Sequence, residues 1–140
     1  MTNTQPTTTT LHSEADVLAL WETLAAGVGF DQRSLSLVFL DADSRTLPTL
    51  VPFDGLPAMP DRRMIRSMSN IVHQLVSGGD AAAVVMLLSR PGPEGMTGGD
   101  RRWAAALRTG ISADLMPWPV HLATRGRVQV FAPDDLIAAS

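Results

Sequence analysis

Residues 81–102 read AAAVVMLLSRPGPEGMTGGDRR, and this stretch decides the fold. Residues 81–88 form a short, unbroken apolar run, the pattern of a central strand. The Pro- and Gly-rich residues that follow cannot continue it. Thr97 stands three positions before Asp100, the spacing of a capping box, in which a hydroxyl and a carboxylate each satisfy an orphan amide of a helix's first turn. Strand, loop and capped helix in that order predict an α/β domain.

The partners of this strand lie on both sides in sequence. Upstream, residues 34–40 (SLSLVFL) alternate and then turn wholly apolar, and residues 41–44 are turn chemistry. Residues 45–53 can return as an antiparallel strand that Pro48 and Pro52 push to a sheet edge. Asp61 caps a helix running to about Ser77, with Met64, Ile65, Met68, Ile71, Val72, Leu75 and Val76 as its apolar stripe and Gly78-Gly79 closing it. Its His73 falls on the opposite, exposed face.

Downstream, the capped helix extends from Asp100 to about Asp114 with Trp103, Leu107 and Ile111 inward. Residues 120–124 and 127–131 bracket Arg125-Gly126 as a hairpin that carries His121 as a structural side chain. Near the start, Ser13 and Asp16 can cap a first helix whose Val17, Leu18, Leu20, Trp21, Leu24 and Val28 recur at helical spacing, ending at Gly27 or Gly29. Residues 1–12 read as a disordered Thr-rich tail with His12 solvated at its end, and residues 13–140 as one domain. The order α-β-β-α-β-α-β-β implies a mixed sheet with helices packed against it, a single three-layer α-β-α domain.

Composition narrows the chemistry. The 140 residues suffice for one domain, and 45% hydrophobic against 18% charged residues is a globular balance. A net charge of −3 without a basic run disfavours a nucleic-acid partner. No apolar run approaches the roughly 20 residues that cross a bilayer, and the polar N-terminus is not a signal peptide. All 11 basic residues are Arg, and Lys, Tyr and Cys are absent. We read that bias as GC-rich bacterial coding and expect a cytoplasmic chain. Without Cys there is no disulfide, thiolate catalysis or Cys-type zinc site.

The loop invites three chemical readings. Backbone amides at a helix N-terminus with Arg90, Arg101 and Arg102 could hold an anion, although a P-loop Lys is missing and Glu94 and Asp100 would repel one. Ser89 and Thr97 carry hydroxyls, but a nucleophile needs a nearby base and no His is close in sequence. Thr97 has a simpler task as helix cap. The third reading is a metal site.

The order of central strand, loop with an early Pro and several Gly, hydroxyl-x-x-Asp, helix and final hairpin resembles the JAB/MPN metalloprotease fold, a cytidine deaminase-like architecture, and in particular its RadC-like branch. The resemblance runs from about Ser34 to Leu136. It implies a His-x-His-Pro motif at the strand end, a Ser-x-x-Asp opening the helix and an upstream Glu that activates zinc-bound water. Pro91 matches that Pro, and Thr97 and Asp100 match the Ser and Asp. The two His positions are Leu88 and Arg90, one without a lone pair and the other carrying only donors. No Glu lies between Glu22 and Glu94, and Asp54 is the nearest carboxylate.

Asp100 alone cannot hold a catalytic zinc, which takes three protein ligands. The expectation is therefore a catalytically inactive JAB/MPN-like domain without metal or cofactor, serving as an interaction or scaffolding module. Its vestigial site would comprise Leu88, Arg90, Thr97 and Asp100, with the Arg90 guanidinium in the vacated metal position paired to Asp100. A protein partner or a homodimer would be its counterpart, with Leu50, Val51, Phe53, Leu56 and Met59 in residues 48–60 either covering the core or docking that partner. The alternatives are a divergent metal-dependent hydrolase using Asp100 with His73 or His121, and a small-anion or nucleotide sensor built on residues 89–102.

Overall fold

The computed structural model describes residues 9–25 and 30–137, apart from the side chain of Ile137. They form a mixed five-stranded sheet with four helices: α1 (Glu14–Ala25), β1 (Ser34–Leu40), β2 (Thr46–Phe53), α2 (Arg62–Ser77), β3 (Ala83–Ser89), α3 (Gly98–Gly110), β4 (His121–Thr124), β5 (Arg127–Val130) and α4 (Pro133–Ile137). A single 3₁₀ turn, Ala113–Leu115, follows α3. Strands lie in the order β2-β1-β3-β4-β5, with β3 antiparallel to β1 and parallel to β4. Among the described residues no helix is long and apolar enough to cross a membrane.

The run of residues 81–88 does become the central strand. All of Val84 to Ser89 is buried, because helices cover both faces of the sheet. Val84, Met86 and Leu88 pack with Leu35, Leu37, Met68, Val72, Trp103 and Leu107 on the side of α2 and α3. Val85 and Leu87 pack with Val38, Leu40, Trp21 and Ala123 on the side of α1. The period-two alternation of a strand thus supplies two cores from one segment.

Pro48 and Pro52 sit on β2, which is an edge strand, where a missing N–H breaks no ladder. Asp61 caps α2 by accepting the Arg63 amide at 2.7 Å. His73 is exposed, and Leu75 also faces outward with 43% of its surface accessible, so the inward stripe is narrower than its spacing suggests. Within residues 48–60, Leu50, Val51, Phe53 and Leu56 are half-buried against the domain and only Met59 is largely exposed. That segment mainly covers its own core.

Several boundaries differ from the sequence expectation. Residues 9–12, read as the end of a tail, pack on the domain, because Thr10 bridges Arg45 and Leu11 is buried beside α1; residues 1–8 lie outside the described residues. Burial of Leu11 and the main-chain bonds of Leu11 to Ser44 and of Thr46 to Thr9 together offset the freedom that residues 9–12 lose. Ser13 accepts the Asp16 amide at 3.2 Å as foreseen, but the Asp16 carboxylate reaches one residue further, to the His12 amide at 2.8 Å. Helix α3 starts at Gly98 and stops at Gly110, short of Asp114. The short α4 was not foreseen. Gly27, Val28 and Gly29 lie outside the described residues.

Candidate functional site

Two strand ends and one helix start meet at the loop. The β1–β3 register pairs Ser34 with Ser89, so Arg33 and Arg90, one residue beyond, arrive side by side. Two guanidinium groups so placed repel unless an anion intervenes. Asp100, the third residue of α3, supplies it. Thr97 caps that helix: its hydroxyl accepts the Asp100 amide at 3.2 Å and the Asp100 Oδ2 accepts the Thr97 amide at 2.8 Å.

The same carboxylate neutralises the arginines. Arg90 Nε lies 2.8 and 2.9 Å from its two oxygens, Arg90 Nη2 lies 2.7 Å from Oδ2, and Arg33 Nη1 lies 2.8 Å from Oδ1. Asp100 is fully buried and Arg90 is 4% exposed. The remaining Arg90 donors turn to the loop, with Nη1 donating to the Pro91 and Pro93 carbonyls at 3.0 and 2.8 Å and Nη2 to the Gly95 carbonyl at 2.8 Å. Every N–H of this guanidinium therefore has an acceptor.

The composition of the loop follows from this wrapping. Carbonyls of alternate residues 91, 93 and 95 turn inward, and the two prolines bring no amide that would need a partner. Gly92 holds φ +99°, a backbone conformation that side chains resist, and a Cβ there would lie 3.4 Å from Arg90 Nη1. Gln129 Nε2 donates to the Glu94 carbonyl at 2.6 Å and ties the loop to β5. On the other side, a Cβ at Gly99 would come within 2.8 Å of the Ala58 carbonyl, so only glycine lets residues 57–59 close over the start of α3.

Burial, the largest single influence on Asp100, favours its neutral acid. The Arg90 donors, the Thr97 amide and Arg33 together outweigh it and hold the carboxyl at about 2, below the ordinary 3.8. A carboxyl depressed in the folded state stabilises the protein above its unfolded value and loses that contribution as pH falls through the folded one. Between about pH 4 and pH 2 the protein should therefore lose about 2 kcal/mol from this group. Urea unfolding across that window should show the slope in the native chain and lose most of it in Asp100→Asn; an equal acid slope in both would refute the assignment.

The other residues singled out do not converge. Leu88 is buried in the core on the same sheet face as Arg90. Arg90, Arg101 and Arg102 do not form a joint anion site: Arg90 has no free donor, Arg101 Nε faces Asp135 Oδ1 at 4.0 Å, and Arg102 lies exposed against the Met59 sulfur. That corrects the anion expectation for Arg90. Asp54 is exposed. His73 is on the outer face of α2, and His121 is on the α1 side of the sheet, beside Leu87 and away from Asp100. Neither His73 nor His121 is thus brought to Asp100.

Among the described residues no cluster of three or more His, Asp or Glu side chains could hold a metal ion. His121 is fully buried; its Nδ1 lies 3.2 Å from the Pro119 carbonyl and its Nε2 has no partner among the described residues. Burial pushes its pKa down, against the opposing pull of that carbonyl and of Glu14. Ser89 shares this sheet face and is buried with its hydroxyl unpartnered, so no Ser–His hydrogen bond exists.

Chemically the Arg33–Arg90–Asp100 cluster is a lock. Its carboxylate carries five hydrogen bonds and its central guanidinium has none to spare, so neither can ligate an ion or move a proton near neutral pH. Arg33 was not foreseen, being 67 positions from Asp100. The only signal for it is the β1–β3 register, which a single sequence does not state. No protein-family model matches the chain, and no curated protein matches it.

Proposed function

We propose that this chain is a catalytically silent, RadC-like relative of the JAB/MPN metalloprotease fold, acting as a protein-interaction or scaffolding module in the bacterial cytoplasm. In this reading the layered α-β-α arrangement is the cytidine deaminase-like architecture of that family, and its partners are proteins rather than nucleic acid or membrane. One observation carries it. At the position of the family's second metal-binding His stands Arg90, and its guanidinium donates three hydrogen-bond contacts to Asp100, the position of the family's Asp ligand. A fixed positive charge thus sits where the cation would, and Leu88 puts a hydrocarbon at the first His position.

The sensor reading loses ground because Arg90 is consumed internally. The hydrolase reading loses ground because His121 and Asp100 lie on opposite faces of the sheet. Metal analysis of tag-free protein after zinc equilibration and dialysis should find substoichiometric zinc, and the purified chain should not cleave isopeptide or peptide substrates. One zinc per chain that disappears in Asp100→Asn, or turnover abolished by that substitution, would overturn the reading.

A further inference from the structure

The far end of the sheet carries a feature that the Arg90 cluster does not use. Strand β5 is an edge strand, joined to β4 by the two-residue turn Arg125-Gly126. In such a hairpin the flanking pair, Thr124 and Arg127, exchanges hydrogen bonds, and bonded and non-bonded pairs then alternate. Arg127 and Gln129 therefore bond inward to β4. The Phe131 amide, donating to the Val120 carbonyl at 3.0 Å, continues the same inward parity. The N–H and C=O groups of Val128 and Val130 consequently point away from the sheet, where among the described residues no strand follows.

This open edge lies in a cleft of about 680 Å³. Glu14 and Leu18 of α1 wall one side, and Met96, Arg101 and Asp135 the other. Because the edge is flanked on both sides, a single extended chain fits it better than the edge of a second folded copy. Strand addition of this kind takes affinity from main-chain hydrogen bonds and specificity from the alternating side chains.

The two walls differ in chemistry. Val128 and Val130 are paired with Ala123 and His121, so their side chains face α1 and make that wall apolar together with Leu18. Glu14 on the same wall repels acidic groups. Arg127 and Gln129 alternate to the other wall, where Arg127 and Arg101 are cationic; Asp135 lies 4.0 Å from Arg101, and the Glu94 carboxylate sits against Gly126 at the hairpin end of that wall. His121 Nε2, buried without a partner among the described residues, adds an acceptor at the floor.

We propose that this cleft binds an extended peptide of alternating acidic and apolar residues, added to β5 as a sixth strand with its acidic side chains toward Arg127 and Arg101. The inference deepens the interaction-module reading and rests on it for the partner being a protein, but not on the silence of the Arg90 site.

The test titrates the full chain, isotope-labelled for NMR, with an amidated seven-residue peptide of alternating glutamate and valine. Saturable shifts should appear at up to about 1 mM peptide, centred on Val128, Val130 and Leu18. Two versions of the peptide, N-methylated at alternate residues in either register, separate edge pairing from simple charge attraction. One of them should bind at least about tenfold more weakly, the cost of one or two lost hydrogen bonds. Arg127→Glu should weaken binding of the unmodified peptide by a similar factor. Val128→Pro removes an outward N–H, so it should retain the native spectrum of β1 and β3 and lose the peptide. No saturable shift, shifts centred elsewhere, or equal affinity for both N-methylated peptides and the parent would overturn the proposal. Zinc content and hydrolysis are measured separately, so failure here leaves the silent-enzyme reading standing, and bound zinc there leaves this cleft standing.

Discussion

Asp100→Ala should destabilise the protein by about 3–5 kcal/mol, the loss typical when one partner of a buried ion pair is removed. The substitution strands two cations. Arg90, 4% exposed, loses its counter-ion and keeps its loop carbonyls, while Arg33 faces it across the sheet end without the carboxylate between them. The helix cap loses its reciprocal half as well, since the Thr97 amide no longer finds an acceptor. For a domain of this size the melting temperature should fall on the order of 10–20 °C.

A cycle separates charge from packing. Asp100→Leu combined with Arg90→Met should recover part of the loss, because the more deeply buried of the two cations goes with its partner while Arg33 alone is left without its carboxylate. It should not recover all of it, since the carbonyls of Pro91, Pro93 and Gly95 would then lack their donor. Limited proteolysis should nick residues 91–96 in the double variant and spare them in the native chain. A urea midpoint for Asp100→Ala within about 1 kcal/mol of wild type would show that the guanidinium groups are solvated and the lock is not one.

How far the sequence reveals this arrangement depends on range. Local devices are legible: the Thr97–Asp100 cap, the Asp61 cap, the Arg125-Gly126 turn and the edge strand marked by Pro48 and Pro52 all depend on residues within a few positions of one another. Pairing of Arg90 with Asp100, ten positions apart, is an expectation carried by the resemblance, which puts both residues at one vacated metal position. Arg33 is not legible, because its place depends on β1 running antiparallel beside β3 in one particular register. The outward-facing amides of β5 depend likewise on the strand order. Leu11 reads as tail because a single isolated bridge at Thr10 leaves no periodicity to read, and α3 ends early because Gly110 and the 3₁₀ turn at Ala113–Leu115 interrupt a pattern whose apolar spacing continues through Ile111.

Trp103→Ala should cost about as much as the loss of Asp100, on the order of 3–5 kcal/mol, by a different route. Trp103 is fully buried between α3 and the sheet, among Leu35, Met86 and Leu122, and truncation there leaves a cavity that rigid strands cannot fill. Its indole N–H also donates to the Pro57 carbonyl at 3.0 Å, which pins residues 57–59 over Gly99. Trp103→Phe keeps most of the volume and loses that bond, so about 1–2 kcal/mol is expected from it. Proteolysis should then open the chain near Met59 in both variants, because the pin is gone in each. Trp103 and Asp100 are three residues apart on α3 and share one turn of it, so the two alanine variants should not be additive. Once the first turn of α3 has loosened, the second substitution has less left to disturb, and the doubly substituted chain should lose less than the sum. Strict additivity in urea midpoints would mean that the Pro57 pin and the Arg90 lock stabilise the protein independently, and that residues 57–59 do not help to seat the carboxylate.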